Sequence, residues 1–413
     1  MTTKPTEKIR VLVIATTFPR WERDQEPPFV YDLCRNLPQA ADIHVLAPDA
    51  PGVKKQETWG KMKITRFSYF YPRSSQKLCY EGGIIPNLKS SWLARIQLPF
   101  FLIALFTSLI KITGEKEFDL IHCHWLIPQG FFCALIKFWR KIPYLLTAHG
   151  GDVFSFKGIP GIKMLINFAL KHSAGCTVNS RATENQILKS HKKAIIKIVP
   201  MGVDLVQFNK NNYNQDIKNS MGPESLLLLG VGRLAEKKGF EFLIQAMTQV
   251  LQEIPKTRLA IIGFGPQKNQ LEKRIQELNV SSSVFLLGGK TGKELRDWFA
   301  TADIFIGPSI VTQDGDTEGQ GVVFLEAMAS GTPVIASDVG GIKDVVQDGF
   351  SGLLIPEKNP DAIAEKILEL AKNNSLREQL VQNALELVNS TYSWEHSALT
   401  FFDLYQQAIS KPT

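Results

Sequence analysis

The chain has 413 residues, too many for one ordinary hydrophobic core, so two domains of roughly 200 residues each are expected. With 44% apolar and 21% charged residues it reads as a globular protein, without low-complexity, collagen-like or solenoid repeats. Of its 47 Lys+Arg and 40 Asp+Glu, residues 1–205 hold 28 and 15, a balance of +13, leaving 19 and 25, a balance of −6. Unless these are scattered solvated lysines, the first half faces something anionic: a membrane surface, a lipid phosphate or nucleic acid. No basic stripe interleaved with aromatics is present, which argues against nucleic acid.

The N-terminus passes from a polar lead, "MTTKPTEK", straight into a strand, without the apolar stretch and cleavage site of a signal peptide. Cys34, Cys79, Cys123, Cys133 and Cys176 are odd in number and lack CxxC spacing. That supports neither a zinc site nor a disulfide framework, and a reducing cytoplasm is expected. Buried parallel strands are predicted at 10–17, 42–48, 118–125, 143–150 and 175–180, with helical stretches between most of them. In "LPFFLIALFTSLI" (98–110) no charge interrupts the run, but it is shorter than the roughly 20 residues a membrane span requires. It reads as a core helix, or as an interfacial helix whose flanking Arg95 and Lys111 meet lipid phosphate. A polar segment, 209–225, reads as a linker between a first domain, 1–208, and a second, 226–390. The segment 391–413 forms a closing helix. Second-domain strands are predicted at 226–232, 258–263, 284–288, 303–309, 333–337 and 352–356. Alternating strands and helices on both sides of the linker imply two doubly wound, Rossmann-like α/β domains. Ligands in such sheets bind beyond the carboxyl ends of the strands.

Two loops of the second domain carry the most chemistry. After the strand 226–232, Arg233 and Lys238 precede a helix that starts near Gly239. Cations there oppose the helix dipole, a cost that a bound diphosphate would reverse. In "DGDTEGQGVVFLEAMASGTPVIASDVGG" (314–341), Glu318 precedes a helix from about Val322 to Ser330, and Glu326 lies on its second turn. Gly331 stops that helix and Pro333 opens the next strand. Gly319 and Gly321 leave N–H groups able to approach a diphosphate or sugar oxygen. Glu318 and Glu326 call for a polyhydroxyl partner, because carboxylates accept from hydroxyls but repel phosphate. Alone, two glutamates eight residues apart would mean only a solvated helix.

With these motifs in place, the chain resembles the family-four retaining glycosyltransferases of the GT-B fold, whose two domains flank an interdomain cleft. The likeness also includes "VPMGVDLVQF" (199–208), "IIGFGP" (261–266) and "ADIFIGPS" (302–309). It implies that Arg233 and Lys238 hold the donor diphosphate, that Glu318 contacts the transferred sugar and that Glu326 binds ribose. Gln320, Gly321 and Val322 would offer backbone groups, while Gly263, Gly265 and Lys290 would lie in loops near the base. The closing segment would be the family's last helix, crossing back onto the first domain. On the acceptor side the resemblance implies a reaction-centre role for His149 in "TAHGGDVF" (147–154), with Asp152, His124, Trp125 and Phe18 as neighbours. His122 and His124 also have a spacing that metals use, but no third ligand is evident. The family often has Gly-Gly before the first helix, where this chain has Pro27-Pro28. The acceptor loop 17–29 should therefore differ, and phosphate binding should lean on Arg233 and Lys238. The "DGD" at 314–316 mimics the metal-binding motif of another glycosyltransferase fold but only precedes the Glu318 loop, so neither metal nor cofactor is expected.

The expected activity is metal-independent, retaining transfer of a hexose-type sugar from a UDP- or GDP-sugar to a saccharide acceptor carried on lipid, with a soluble acceptor as the runner-up. The expected location is cytoplasmic, at the inner membrane face. A phosphorylase or epimerase on the same scaffold, or a non-catalytic binder of nucleotide sugars, stays open.

Overall fold

The computed structural model describes residues 8–22, 24, 26–154, 161–192 and 194–410. The polar lead at 1–7 and two positions of the 17–29 loop, 23 and 25, lie outside them. The chain forms two compact units: residues up to Pro200 together with those from Trp394 onward, and Met201–Ser393.

The first unit is built on an eight-stranded sheet. Its strands are β1 (Ile9–Ile14), β2 (Ala41–Pro48), β3 (Gln56–Trp59), β4 (Met62–Phe67), β5 (Leu120–His124), β6 (Tyr144–Ala148), β7 (Gly175–Val178) and β8 (Ile196–Ile198). They lie in the order β3-β4-β2-β1-β5-β6-β7-β8, and all pairs are parallel except β3 with β4. β5 and β6 are buried at every position, His122, His124 and Thr147 included, as strands covered on both faces should be. The helix Trp394–Ser410 lays Phe401, Tyr405 and Ala408 against this unit, and Ser397 donates to the Pro200 carbonyl at 2.8 Å. Pro28 precedes the helix Phe29–Asn36 and accepts from the N–H of Asp32, so the proline pair does open a helix. The apolar run at 98–110 lies in a longer helix, Trp92–Glu115.

The second unit carries β9 (Leu227–Val231), β10 (Arg258–Ile262), β11 (Val284–Leu286), β12 (Ile304–Gly307), β13 (Val334–Ser337) and β14 (Leu353–Ile355). This sheet is wholly parallel, in the order β11-β10-β9-β12-β13-β14. Strand order reverses between β9 and β12 here, and between β1 and β5 in the first unit. A crevice opens at such a reversal because successive crossovers leave in opposite directions.

The segment 209–225 is not a free linker. It contains the helix Gln215–Met221, Asn214 donates to Asp297 at 3.0 Å, and Lys218 pairs with Asp303 at 2.5 Å. Residues 201–208 likewise belong to the second unit, where the N–H of Val203 donates to Tyr392 and Val203 bridges to Ser393. The Phe401 side chain is fully buried in the first unit. Phe401→Ala should therefore cost about 3–5 kcal/mol in chemical unfolding. A loss below about 1 kcal/mol would mean that the closing helix is not integral to that unit.

Candidate functional site

In the second unit the two loops at the sheet reversal supply the charged groups predicted from sequence. After β9 the chain makes a short turn, Glu236–Lys238, and enters the helix Phe240–Glu253 through Gly239 at φ 62°. A side chain at Gly239 would meet the Pro308 carbonyl at 2.0 Å, so glycine allows the loop after β9 to lie on the chain leaving β12. Lys238 then reaches Glu318, its Nζ 3.1 Å from Oε1. Glu318 is buried, which pushes its carboxyl up, but Lys238 and Lys237 outweigh burial and hold it below its ordinary value. Lys237 also pairs with Asp316 at 3.3 Å, which ties the "DGD" turn to the same loop. The Glu318 carbonyl accepts from the N–H of Gly341 at 3.0 Å, so the loop is held at both ends.

The helix Val322–Ala329 begins at Gly321, φ 79°, with no side chain capping its first turn. Its uncapped N–H groups and the neighbouring ammonium can together hold an anion. Val322 is the first helical residue, Gly319 sits half-buried in the approach, and Glu326 is half-buried on the second turn. Arg233 is exposed on the turn after β9; its carbonyl accepts from the N–H of Ala235, while its guanidinium makes no hydrogen bond or ion pair to another described residue.

The structure changes the reading of several residues. The Gln320 amide is buried and spans the backbone of Met201, accepting from its N–H at 2.8 Å and donating to its carbonyl at 2.9 Å. Its side chain pins residue 201, leaving only main-chain groups for a ligand. Gly263 and Gly265 are packing positions: side chains there would meet the Gly232 carbonyl at 1.9 Å and the Leu234 carbonyl at 2.2 Å. Their bareness lets the loop after β10 close on the loop that carries Arg233. Phe264 between them is exposed and lies across Gly288 and Gly289. Lys290 is held by Glu294 at 2.7 Å and borders a separate hollow of about 520 Å³ with Leu287, Asp297 and Trp298.

In the first unit, His149 follows β6 and is half-buried. Its Nε2 lies 2.9 Å from Nδ1 of His124, and the two rings stack with centroids 5.2 Å apart. His122 is bonded to Tyr405 Oη and to Thr147 Oγ1, each at 2.7 Å. These bonds occupy both ring nitrogens of His122 and Nδ1 of His124, whereas Nε2 of His124 is buried without a partner among the described residues. Burial lowers His122 and His149 to about 3 and carries His124 in the same direction. Asp152 is a correction: it is fully buried and accepts from the N–H groups of Leu126 at 2.9 Å and His149 at 3.0 Å. It shapes the loop rather than facing an acceptor, and burial raises its carboxyl to about 6 against those N–H groups. Phe18 is a second correction, being fully buried and stacked on Trp59 with centroids 5.9 Å apart. His124 is buried too and acts on its surroundings through His149. Trp125 holds a strained backbone, φ 81°, with its ring against Gly151 and its indole N–H buried without a partner among the described residues.

Two sheets, parallel except for the β3–β4 pair and each presenting charged or aromatic loops at a strand-order reversal, make a two-domain α/β protein of the GT-B fold. The description "Glycosyltransferase Family 4" matches residues 28–207, and "Glycosyl transferases group 1" matches 213–387. An uncharacterized glycosyltransferase of Methanocaldococcus jannaschii, MJ1607, is 30% identical over 313 residues, 73% of this chain and 78% of the relative. The putative teichuronic acid biosynthesis glycosyltransferase TuaC of Bacillus subtilis is 28% identical over 308 residues, 73% of this chain and 74% of the relative. The crystal structure of Anabaena Alr3699/HepE in complex with UDP and glucose is similar at TM-score 0.72 and 16% identity, covering 96% of this chain and 99% of that one. The chain belongs to the glycosyltransferase family.

Sequence reasoning missed Lys237, Thr317 and the Gln320 side chain. Lys237 was visible as the neighbour of Lys238. Thr317, whose buried hydroxyl has no partner among the described residues, sits beside Glu318 with nothing in the sequence to mark it.

The histidine cluster predicts a pH response. With His122 and His149 neutral down to about pH 3, and His124 lowered in the same direction, the unfolded chain binds more protons between there and about 6.5, so stability rises with pH across that window. Asp152 opposes this between 3.8 and about 6, one group against three. The unfolding temperature should fall from about pH 7 to about pH 5, and His149→Gln should flatten the slope. A midpoint that holds or rises on acidification contradicts this balance.

Proposed function

We propose that the enzyme transfers a hexose-type sugar from a UDP- or GDP-sugar to a saccharide acceptor carried on lipid, with retention of anomeric configuration. The observation that carries the reading is the Lys238–Glu318 pair beside the uncapped start of the helix Val322–Ala329. As the bond from the anomeric carbon to the diphosphate breaks, Arg233, Lys238 and those N–H groups would take up the departing charge. Fixed dipoles and cations of this kind can do the electrostatic work of a metal. The acceptor hydroxyl would attack from the face the diphosphate leaves, and a diphosphate oxygen would take its proton. Glu318 would accept hydrogen bonds from sugar hydroxyls and Glu326 from ribose, as carboxylates can only accept. Main-chain groups of Gly319, Gln320, Gly321 and Val322 complete the donor side, with Phe264 and the 288–290 turn toward the base. His149, neutral at physiological pH, would orient the reacting groups. The scheme calls for no cofactor beyond the donor.

The UDP and glucose bound to HepE support the donor class. TuaC, named for teichuronic acid biosynthesis, supports a role in building a surface polysaccharide. With the basic first half, this favours work on a lipid-linked acceptor at the inner face of the cytoplasmic membrane.

Arg233→Ala and Lys238→Ala should each lower transfer by about a hundredfold or more in an assay against a panel of nucleotide sugars. Arg233 is exposed, so its variant should unfold at the wild-type temperature. Near-normal turnover by both variants contradicts the scheme. The anomeric coupling of the new linkage, read by proton NMR, should match the donor's, and inversion would overturn the retaining reading.

A further inference from the structure

The helix Trp92–Glu115 is far more apolar than its burial accounts for. Its most apolar 18-residue stretch has a mean hydropathy of 1.9, yet only 28% of it is buried. One face is core: Ala94, Gln97, Phe101, Leu105, Leu109 and Ile112 recur at helical spacing and pack into the first unit. Gln97 lies within that face, where its amide accepts from the N–H of Lys77 at 2.9 Å. A helix anchored this way cannot be surrounded by lipid, which rules out a membrane span.

The opposite face is open. Trp92, Ile96, Phe100, Ile103, Thr107 and Lys111 follow one another at intervals of four or three along one stripe. Trp92 is 71% exposed, Ile103 63% and Phe100 51%. The patch extends onto the next helix, Gln129–Arg140, where Phe106 meets Trp139, itself 63% exposed, at 6.0 Å between centroids. Cations border the patch. Lys111, 3.9 Å from the exposed Glu115, ends the stripe, Arg95 flanks its start, and the Arg140 guanidinium lies beside Gly114, 2.8 Å from where a side chain there would begin. Acidic residues are nearly excluded from this stretch of sequence. None lies between Glu81 and Glu115, and only the buried Asp152 lies between Asp119 and Glu184.

An aromatic and aliphatic face edged by lysine and arginine matches the headgroup and upper acyl region of an anionic bilayer. A second copy of the chain fits poorly, because a two-fold interface would set cations against cations. We propose that the helices Trp92–Glu115 and Gln129–Arg140 form a monotopic docking face for anionic lipid. This deepens the lipid-linked acceptor reading, on which it rests for its purpose.

The test is sedimentation of the full chain with phosphatidylcholine vesicles, with and without an equal part of phosphatidylglycerol. The wild type should bind the anionic vesicles and release at high salt, as surface charge is screened. Trp92→Ser with Ile103→Ser should weaken binding by about tenfold or more, and Lys111→Gln with Arg140→Gln by roughly fivefold per cation. These positions are surface groups outside the donor site, so both variants should keep the wild-type unfolding temperature. Equal binding to neutral and anionic vesicles, or variants that bind like wild type, overturns the proposal. So does a wild type that ignores vesicles but sediments as a dimer broken by the serine pair. Donor turnover, measured in parallel, separates the two claims: anionic-vesicle binding by a protein that turns over no nucleotide sugar supports the face and removes the donor assignment.

Discussion

The ammonium of Lys238 and the carboxylate of Glu318 belong to loops that leave adjacent strands, β9 and β12, where the order of the second sheet reverses. A buried carboxylate is expensive without a counter-charge, so each loop constrains the other. The constraint holds only because the surrounding backbone packs without side chains. Gly239 rests on the Pro308 carbonyl, Gly340 on that of Glu318, and Gly263 and Gly265 on residues 232–234. The glycines that made this region conspicuous in sequence are therefore mostly devices for bringing three loops together. The groups proposed to meet a ligand differ in exposure: Arg233 is exposed, Lys238 half-buried and Glu318 buried.

The first unit solves a related problem with neutral groups. His149 is held through His124, while Asp152 fixes its main chain from below. His122 connects the same strands to Tyr405 on the closing helix, across 283 residues of sequence. Burial keeps these imidazoles uncharged at physiological pH, so the cluster is held by hydrogen bonds and ring packing rather than by charge. The closing helix is thereby part of the packing behind His149.

The long apolar strands were legible because burial on both faces writes itself as a continuous run. β3 and β4 were not, since "QETW" and "MKITRF" mix exposed and buried positions over a few residues. Arg233, Lys238 and Glu318 stood out as charges set among glycines at the ends of apolar runs. What sequence hid was partnership at a distance. Gln320 is bound to Met201, 119 residues away, and no local pattern records that. Phe18 and Asp152 pass for acceptor-side residues in sequence because an aromatic or an acid in a loop gives no sign of its burial. The segment 209–225 was polar enough to pass for a linker, yet its polar groups are spent on Asp297 and Asp303.

The central claim is that the loops after β9 and β12 grip a nucleotide diphosphate. Amide hydrogen exchange of the intact chain, with and without saturating UDP, tests it most directly. The account predicts slowed exchange at 232–239 and at 318–324, with little change around the hollow beside Lys290. Protection confined to that hollow, or none in either loop while UDP is bound, would contradict it.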